Sequence, residues 1–130
     1  MITGGAGFIG ANLVLHWLCH HPDDLVVNFD ALTYAGNLEN LQEIKNHPNY
    51  RFVLGDLRNS LDISKAFSKH AIDAVIHLAA ESHVDRSIHG PADFVETNIT
   101  GTFNLLETSR KYWSDDLSTH RFLHVSTDEV

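Results

Sequence analysis

Three stretches of this chain carry groups with a clear chemical use. The first is Thr3-Gly4-Gly5-Ala6-Gly7-Phe8-Ile9-Gly10, which contains Gly4-x-x-Gly7-x-x-Gly10 and, overlapping it, Gly5-x-Gly7-x-x-Gly10. In such a turn one glycine makes the tight exit from a strand. A second lets the backbone approach a pyrophosphate, and a third lets the next helix pack close on the sheet. The helix opening near Phe8 would aim its unpaired N–H groups and positive dipole end at the phosphates. The second is Asp30, 20 residues beyond Gly10. At a strand tip its carboxylate can accept from both hydroxyls of an adenosine ribose and would repel a 2′-phosphate. No Lys or Arg lies between Asp30 and Lys45 to neutralise such a phosphate, so the pattern favours NAD over NADP. The third is Ser126-Thr127-Asp128-Glu129-Val130. Two adjacent carboxyls can serve as acid and base once crowding in a dry pocket raises the pKa of one of them.

The elements that must position these groups follow from apolar spacing. A helix is expected over Phe8–His21, with Phe8, Ala11, Leu15 and Leu18 at spacings of three and four, widened by Val14 and Trp17. Strands are expected at Leu25–Phe29, Tyr50–Leu54, Asp73–Ala80 and Arg121–Val125. Asp73–Ala80 is almost continuously apolar, as a strand covered on both faces should be. A short helix follows the Tyr34–Asn37 loop, and Ser60 is the expected cap of a helix presenting Ile63, Ala66 and Phe67. Pro91 suits the first turn of a long helix reaching about Trp113. Its less polar side would run Val95, Asn98, Ile99, Thr102, Leu105, Leu106, Ser109 and Tyr112. Alternating strands and helices imply an α/β fold of Rossmann type, a doubly wound parallel sheet with right-handed crossovers. Ligands then lie at the carboxyl ends of the strands, where all three stretches fall.

Composition narrows the partners. A formal charge of −8 argues against nucleic acid and anionic membranes. It leaves room for an anionic ligand held by backbone N–H groups. Cys19 is the sole cysteine, which precludes an internal disulfide and suits a reducing, cytoplasmic compartment. His16 and His20 share a helix face beside Cys19 and His21, yet no Glu follows His16 and no distant third ligand suggests itself, so no metal site is expected. His77 is expected in the core. Only Met1, Ile2 and Thr3 precede the glycine turn, and the chain stops directly after a strand-like run, so the sheet is expected to be incomplete at both ends, residues 1–130 being part of a longer protein.

At this point the chain resembles the extended short-chain dehydrogenase/reductase family, in its branch of NAD-dependent nucleotide-sugar epimerases and dehydratases. The resemblance covers essentially the whole chain. Its motifs are the glycine turn, Asp30-Ala31-Leu32-Thr33-Tyr34-Ala35-Gly36-Asn37-Leu38, Leu78-Ala79-Ala80-Glu81-Ser82-His83-Val84-Asp85-Arg86-Ser87, and Ser126–Val130. It implies that Phe8 and Ile9, with Gly4, Gly7 and Gly10, form the pyrophosphate turn. Asp30, Ala31, Leu32 and Thr33 would serve the adenosine ribose. Asp56 and Leu57 would serve the adenine, a turn or helix-capping role competing for Asp56. Leu78, Ala79, Ala80, Glu81 and Ser82 would line the nicotinamide side, with Ser82 also on substrate, and Thr97 would face the cofactor. The implied reaction is dehydration of a nucleotide hexose. Glu129 would be the base at C5, Asp128 the acid on the departing 6-hydroxyl, and Thr127 the partner of the 4-hydroxyl. The resemblance further implies a homodimer through the long helix, a Tyr-x-x-x-Lys pair beyond Val130, a C-terminal sugar-binding domain, and no turnover by residues 1–130 alone. A sibling epimerase or decarboxylase usually lacks the Asp-Glu pair. A non-catalytic NAD-binding regulator would lack the Tyr-x-x-x-Lys pair.

Overall fold

A computed structural model of the chain describes residues 1–114 and 116–126. Five parallel strands form one sheet: β1 (Ile2–Thr3), β2 (Val26–Asp30), β3 (Tyr50–Leu54), β4 (Ala74–His77) and β5 (Arg121–His124). Their spatial order is β3-β2-β1-β4-β5. Strand order therefore reverses between β1 and β4, and the crevice for a ligand opens at their carboxyl ends. Helix α1 (Phe8–His20) and a 3-10 helix (Leu38–Ile44) cover one face. Helix α2 (Ser60–His70) and a long helix cover the other. The long helix consists of α4 (Pro91–Phe94), a π-helical stretch (Val95–Gly101) and α5 (Thr102–Tyr112), and helical backbone angles continue through both junctions. A short α3 (Val84–His89) precedes it. Among the described residues no helix is long and apolar enough to cross a membrane.

Strand alternation sends neighbouring side chains to opposite faces. Ile2, Val26 and Tyr50 join Ala11, Val14, Leu18 and Leu41 in one core cluster. Val27, Phe29 and Val75 join Ile63, Ala66, Phe67, Leu105 and Trp113 in the other. Thr3 pairs in register with Phe29 and His77, so these three side chains face the long helix.

Several boundaries differ from the sequence expectation. β4 is shorter than Asp73–Ala80: the Leu78 N–H is shared between the Thr3 carbonyl, at 3.2 Å, and the Thr3 hydroxyl, and the Ala79 N–H turns to that hydroxyl. Within it Val75 and His77 are buried but Ala74 and Ile76 are only half-buried. Asn59, not Ser60, caps α2, its side chain accepting from the Leu61 N–H at 3.1 Å. Phe8 leaves the expected apolar stripe of α1: it is 82% exposed, on the rim of the crevice. The long helix buries Thr102, Leu105, Thr108 and Ser109, while Val95, Ile99, Leu106 and Tyr112 stand exposed. A π turn advances the phase of a helix by about one residue, so a single 3.6-residue stripe could not describe both halves. Trp113 lies in the core and donates to the Ile72 carbonyl at 2.7 Å.

The closest backbone approach lies in the glycine turn. A Cβ on Gly10 would stand 2.7 Å from the Gly5 Cα and overlap the Gly4 carbonyl. Gly10→Ala is therefore expected to push α1 off the sheet and to cost about 1–3 kcal/mol, the usual range for overpacking. Urea denaturation checks this; a loss below about 0.5 kcal/mol, the range of an ordinary surface change, would contradict it.

Candidate functional site

A cleft of about 900 Å³ runs along the carboxyl ends of the strands. That volume lies within the usual range for small-molecule sites, about 300–1,000 Å³. The glycine turn forms its centre. Gly4 takes φ +70, and a Cβ there would sit 2.8 Å from the Cα and N of Ala79. The turn and the β4 exit therefore touch backbone to backbone. Gly7 is different: a Cβ on it would meet only the Gly4 carbonyl, at an ordinary 3.4 Å. Its missing side chain leaves space on the cleft side, where it lines the wall with Phe8 and Ile9. Gly7 also caps α1, with no side chain capping the helix and no acid in its first turn. No acid of the helix's own first turn competes for that positive end.

Asp30 is buried at the tip of β2. One carboxylate oxygen accepts from the Ala6 N–H at 2.9 Å and the other from the Leu32 N–H at 2.8 Å. The side chain thus ties the glycine turn to the loop leaving β2. Each oxygen keeps a further lone pair for a hydroxyl donor. Ala31 and Thr33 line the cleft beside it. Leu32 does not; it takes φ +52 and lies against Gly36, whose missing Cβ leaves it room.

Asp56 and Leu57, at the β3 exit, also line the cleft. The Asp56 carboxylate accepts from the Arg58 N–H at 2.9 Å and grips the guanidinium at 2.6–3.1 Å. The side-chain hydrogen bonds from Arg58 hold it below the usual carboxylate range. The turn role therefore exists, and it occupies much of the carboxylate. Arg58 is a rim residue that strand and helix spacing did not single out; the signal was its place two residues after Asp56. Its plane can stack on a purine. Its charge is already balanced by Asp56, with Glu96 at 3.9 Å and Asp93 also near, so it offers little to a 2′-phosphate.

On the other side Leu78, Ala79, Ala80, Glu81 and Ser82 line the wall, with Thr97 and Asn98 from the π turn. Asn98 acts as a clamp. Its side-chain oxygen accepts from the Glu81 N–H at 2.8 Å, and its amide donates to the Glu81 carbonyl at 2.9 Å. Gly101, three residues on, sits where a Cβ would press on Leu57 at 2.9 Å. One helix thus fixes the exits of both β3 and β4. Sequence spacing placed Asn98 on the helix but gave no sign of this pairing across the fold. His83 is exposed, edge-on to Tyr34 across the mouth with ring centroids 6.2 Å apart. His124, Val125 and Ser126 bring the β5 exit to the same cleft. Thr127, Asp128 and Glu129, the expected catalytic residues, lie outside the described residues.

His77 is buried, as expected. Its ring bonds Thr3 Oγ1 at 2.7 Å and Thr102 Oγ1 at 2.9 Å. Burial, helped by nearby His124, lowers its pKa to about 4. His16 and His20 are exposed and stacked, centroids 4.0 Å apart; among the described residues no three His, Cys, Asp or Glu side chains converge as metal ligands. A second groove, of about 700 Å³ between the 3-10 helix and β3, holds none of the expected site residues.

The reversed strand order, the glycine turn on a helix N-terminus and the buried acid at the β2 tip define a dinucleotide-binding α/β domain. A family model described as GDP-mannose 4,6 dehydratase matches residues 1–130, and the chain belongs to that family. A dTDP-glucose 4,6-dehydratase of Escherichia coli is 55% identical over 134 residues, covering 100% of this chain and 37% of the relative. One from Neisseria meningitidis serogroup B is 51% identical, covering 100% and 38%. Among solved structures, a Streptomyces venezuelae dTDP-glucose 4,6-dehydratase with NAD bound superposes with a TM-score of 0.87 at 45% identity, over 99% of this chain and 39% of that one. A Thermotoga maritima UDP-glucose 4-epimerase with UDP-glucose gives 0.81 at 34%, over 97% and 37%. The chain thus spans a little over a third of the length of the relatives it matches.

The state of His77 sets a pH prediction. An unfolded histidine takes its proton near pH 6.5, the folded one only near 4. Between these values the unfolded state binds more protons, so stability falls as pH drops from 6.5 towards 4. The contribution of His77 approaches about 3 kcal/mol over the full window. Urea denaturation of wild type and His77→Phe should therefore converge in stability as pH falls; a difference that stays constant across the window would contradict this.

Proposed function

We propose that the protein carrying this chain is an NAD-dependent dTDP-glucose 4,6-dehydratase, of which residues 1–130 supply the cofactor-binding part. The observation that carries the proposal is the meeting of three features on one cleft: the uncapped α1 end, buried Asp30 with lone pairs to spare, and the β5 exit that leads into Thr127-Asp128-Glu129. The residues present fit NAD. The glycine turn leaves a Cβ-free wall for a pyrophosphate, and Asp30 is held ready for a ribose diol. Bound NAD supplies the hydride acceptor for C4 of the sugar and the hydride donor for C6.

The chain's own residues supply the proton chemistry. The C5 hydrogen becomes acidic only once C4 is a ketone, because the carbanion is then delocalised into the carbonyl. Glu129 takes that proton. Asp128 protonates the 6-hydroxyl, a poor leaving group until it can depart as water. Thr127 hydrogen-bonds the 4-hydroxyl, alongside the Tyr-x-x-x-Lys pair expected beyond residue 130. Ser82 borders substrate at the β4 exit. An epimerase inverting C4 needs no acid for a leaving group, and the Asp128-Glu129 pair together with higher identity to dehydratases favours elimination.

The sugar-binding domain is proposed to follow residue 130. A homodimer is proposed through the long helix, whose Val95, Ile99, Phe103 and Leu106 present an exposed apolar stripe. A cytoplasmic location accords with the lone, exposed Cys19.

In the full-length protein Asp128→Asn is expected to slow elimination by about 10²–10⁴-fold, the usual range for a general acid, while NAD affinity stays within about twofold, well under one kcal/mol. Single-turnover product analysis with a binding titration checks both. Loss of NAD binding in parallel with activity would remove Asp128 from the acid role. Wild type should bind NAD more tightly than NADP, and the reverse order would refute the reading of Asp30.

A further inference from the structure

A buried hydrogen-bonded chain runs under the cleft from Thr3 on β1, through His77 on β4, to Thr102 at the start of α5. The other partners of Thr3 fix its direction. Thr3 Oγ1 accepts from the N–H groups of Leu78 and Ala79, each at 3.3 Å, the Leu78 N–H being shared with the Thr3 carbonyl at 3.2 Å. A hydroxyl oxygen has two lone pairs and one proton. Both lone pairs are used, so the proton points at the remaining partner, His77 Nδ1. That nitrogen is then an acceptor, and the neutral ring carries its hydrogen on Nε2, donating to Thr102 Oγ1. The opposite polarity would ask the Thr3 oxygen to accept three hydrogens and would strand its own proton at a fully buried site. An imidazolium meets the same obstacle, since both of its nitrogens donate. The groups facing the ring fit a neutral state. β1 and α5 present uncharged hydroxyls, and β5 presents Phe122 and His124, the latter with its ring centroid 5.0 Å away.

We propose that His77, as its neutral Nε2–H tautomer, is a positioning residue for the cofactor cleft. Through Thr3 it holds the Leu78 and Ala79 amides against the strand that leads into Gly4, whose contact with Ala79 joins the two lips of the crevice. Through Thr102 it sets the level of the π turn, and so the reach of Asn98 to Glu81. His77 does not itself line the cleft. Its polarity follows from the geometry alone; its functional consequence rests on the dinucleotide reading.

The test uses the full-length protein with ¹⁵N-labelled histidine. Long-range ¹H–¹⁵N spectra should show His77 with a protonated Nε2 and a bare, hydrogen-bonded Nδ1 from pH 8 down to about 5.5, below the reference value of an exposed histidine. An Nδ1–H tautomer, or an imidazolium within that range, overturns the assignment without any variant being made. Thr3→Val should weaken NAD binding about tenfold, the scale expected when a buried acceptor loses its donor, and should abolish the tautomer preference. Thr3→Ser should keep both. Unchanged NAD affinity in Thr3→Val, or equal weakening by Ser and Val, overturns the positioning role. Failure of wild type to bind NAD at all would refute the cofactor reading and the positioning role with it, while the spectra would still decide the tautomer.

Discussion

The structure depends on a close meeting of bare backbones. Gly4 and Gly10 have no room for a Cβ, one because of Ala79 and the other because of the Gly4 carbonyl and Gly5. This lets β1, the start of α1 and the exit of β4 converge within van der Waals distance. Every other feature of the cleft is arranged around that convergence. Asp30 ties the turn to the β2 loop through the Ala6 N–H. Thr3, one residue before the turn, ties it to β4. A larger side chain at either glycine would separate the walls that a pyrophosphate must bridge.

The two faces of the sheet are held differently. The α1 face is almost wholly apolar apart from Asn28 and Tyr50, which bond each other at 3.1 Å. The long-helix face mixes an apolar cluster with polar clamps: His77 to Thr102, Asn98 to Glu81, and Asn104 to the Leu57 carbonyl at 3.1 Å. Hydrophobic burial is nondirectional and fixes a distance between layers. Directional hydrogen bonds fix the sliding of the helix along the sheet. The π turn carries Asn98, ends one residue before Thr102, and supplies the extra residue that lets the two reach their targets together. Such turns occur often at functional sites.

Much of this was legible in the sequence, for physical reasons. Strand and helix identities followed from period, and the β3 boundaries came out unchanged because Asn46–Asn49 and Gly55 punctuate that strand on both sides. The expected cofactor-side residues come together on one cleft because in a doubly wound sheet the strand ends share one edge; Leu32, turned onto Gly36, is the one described residue among them off the wall. Pairings across the fold were not legible. Nothing in local sequence tells that Asn98 meets Glu81 across 17 positions. The long helix misled for another reason. It is apolar on two sides, one facing the sheet and one exposed, and a periodic stripe cannot separate them. The expected acid-base residues at 127–129 follow Ser126 in the sequence, and Ser126 lines the β5 end of the cleft.

The central claim is that a dinucleotide lies across the strand ends with its adenosine ribose on Asp30 and its reactive ring between the β4 and β5 exits. A crystal structure of the full-length protein with NAD tests this most directly. The account predicts both adenosine ribose hydroxyls on the Asp30 carboxylate, the pyrophosphate over Gly7–Ile9, and the nicotinamide beside Ala79–Ser82 within reach of Thr127. A cofactor bound with its ribose away from Asp30, or with its nicotinamide outside the β4–β5 mouth, would contradict it.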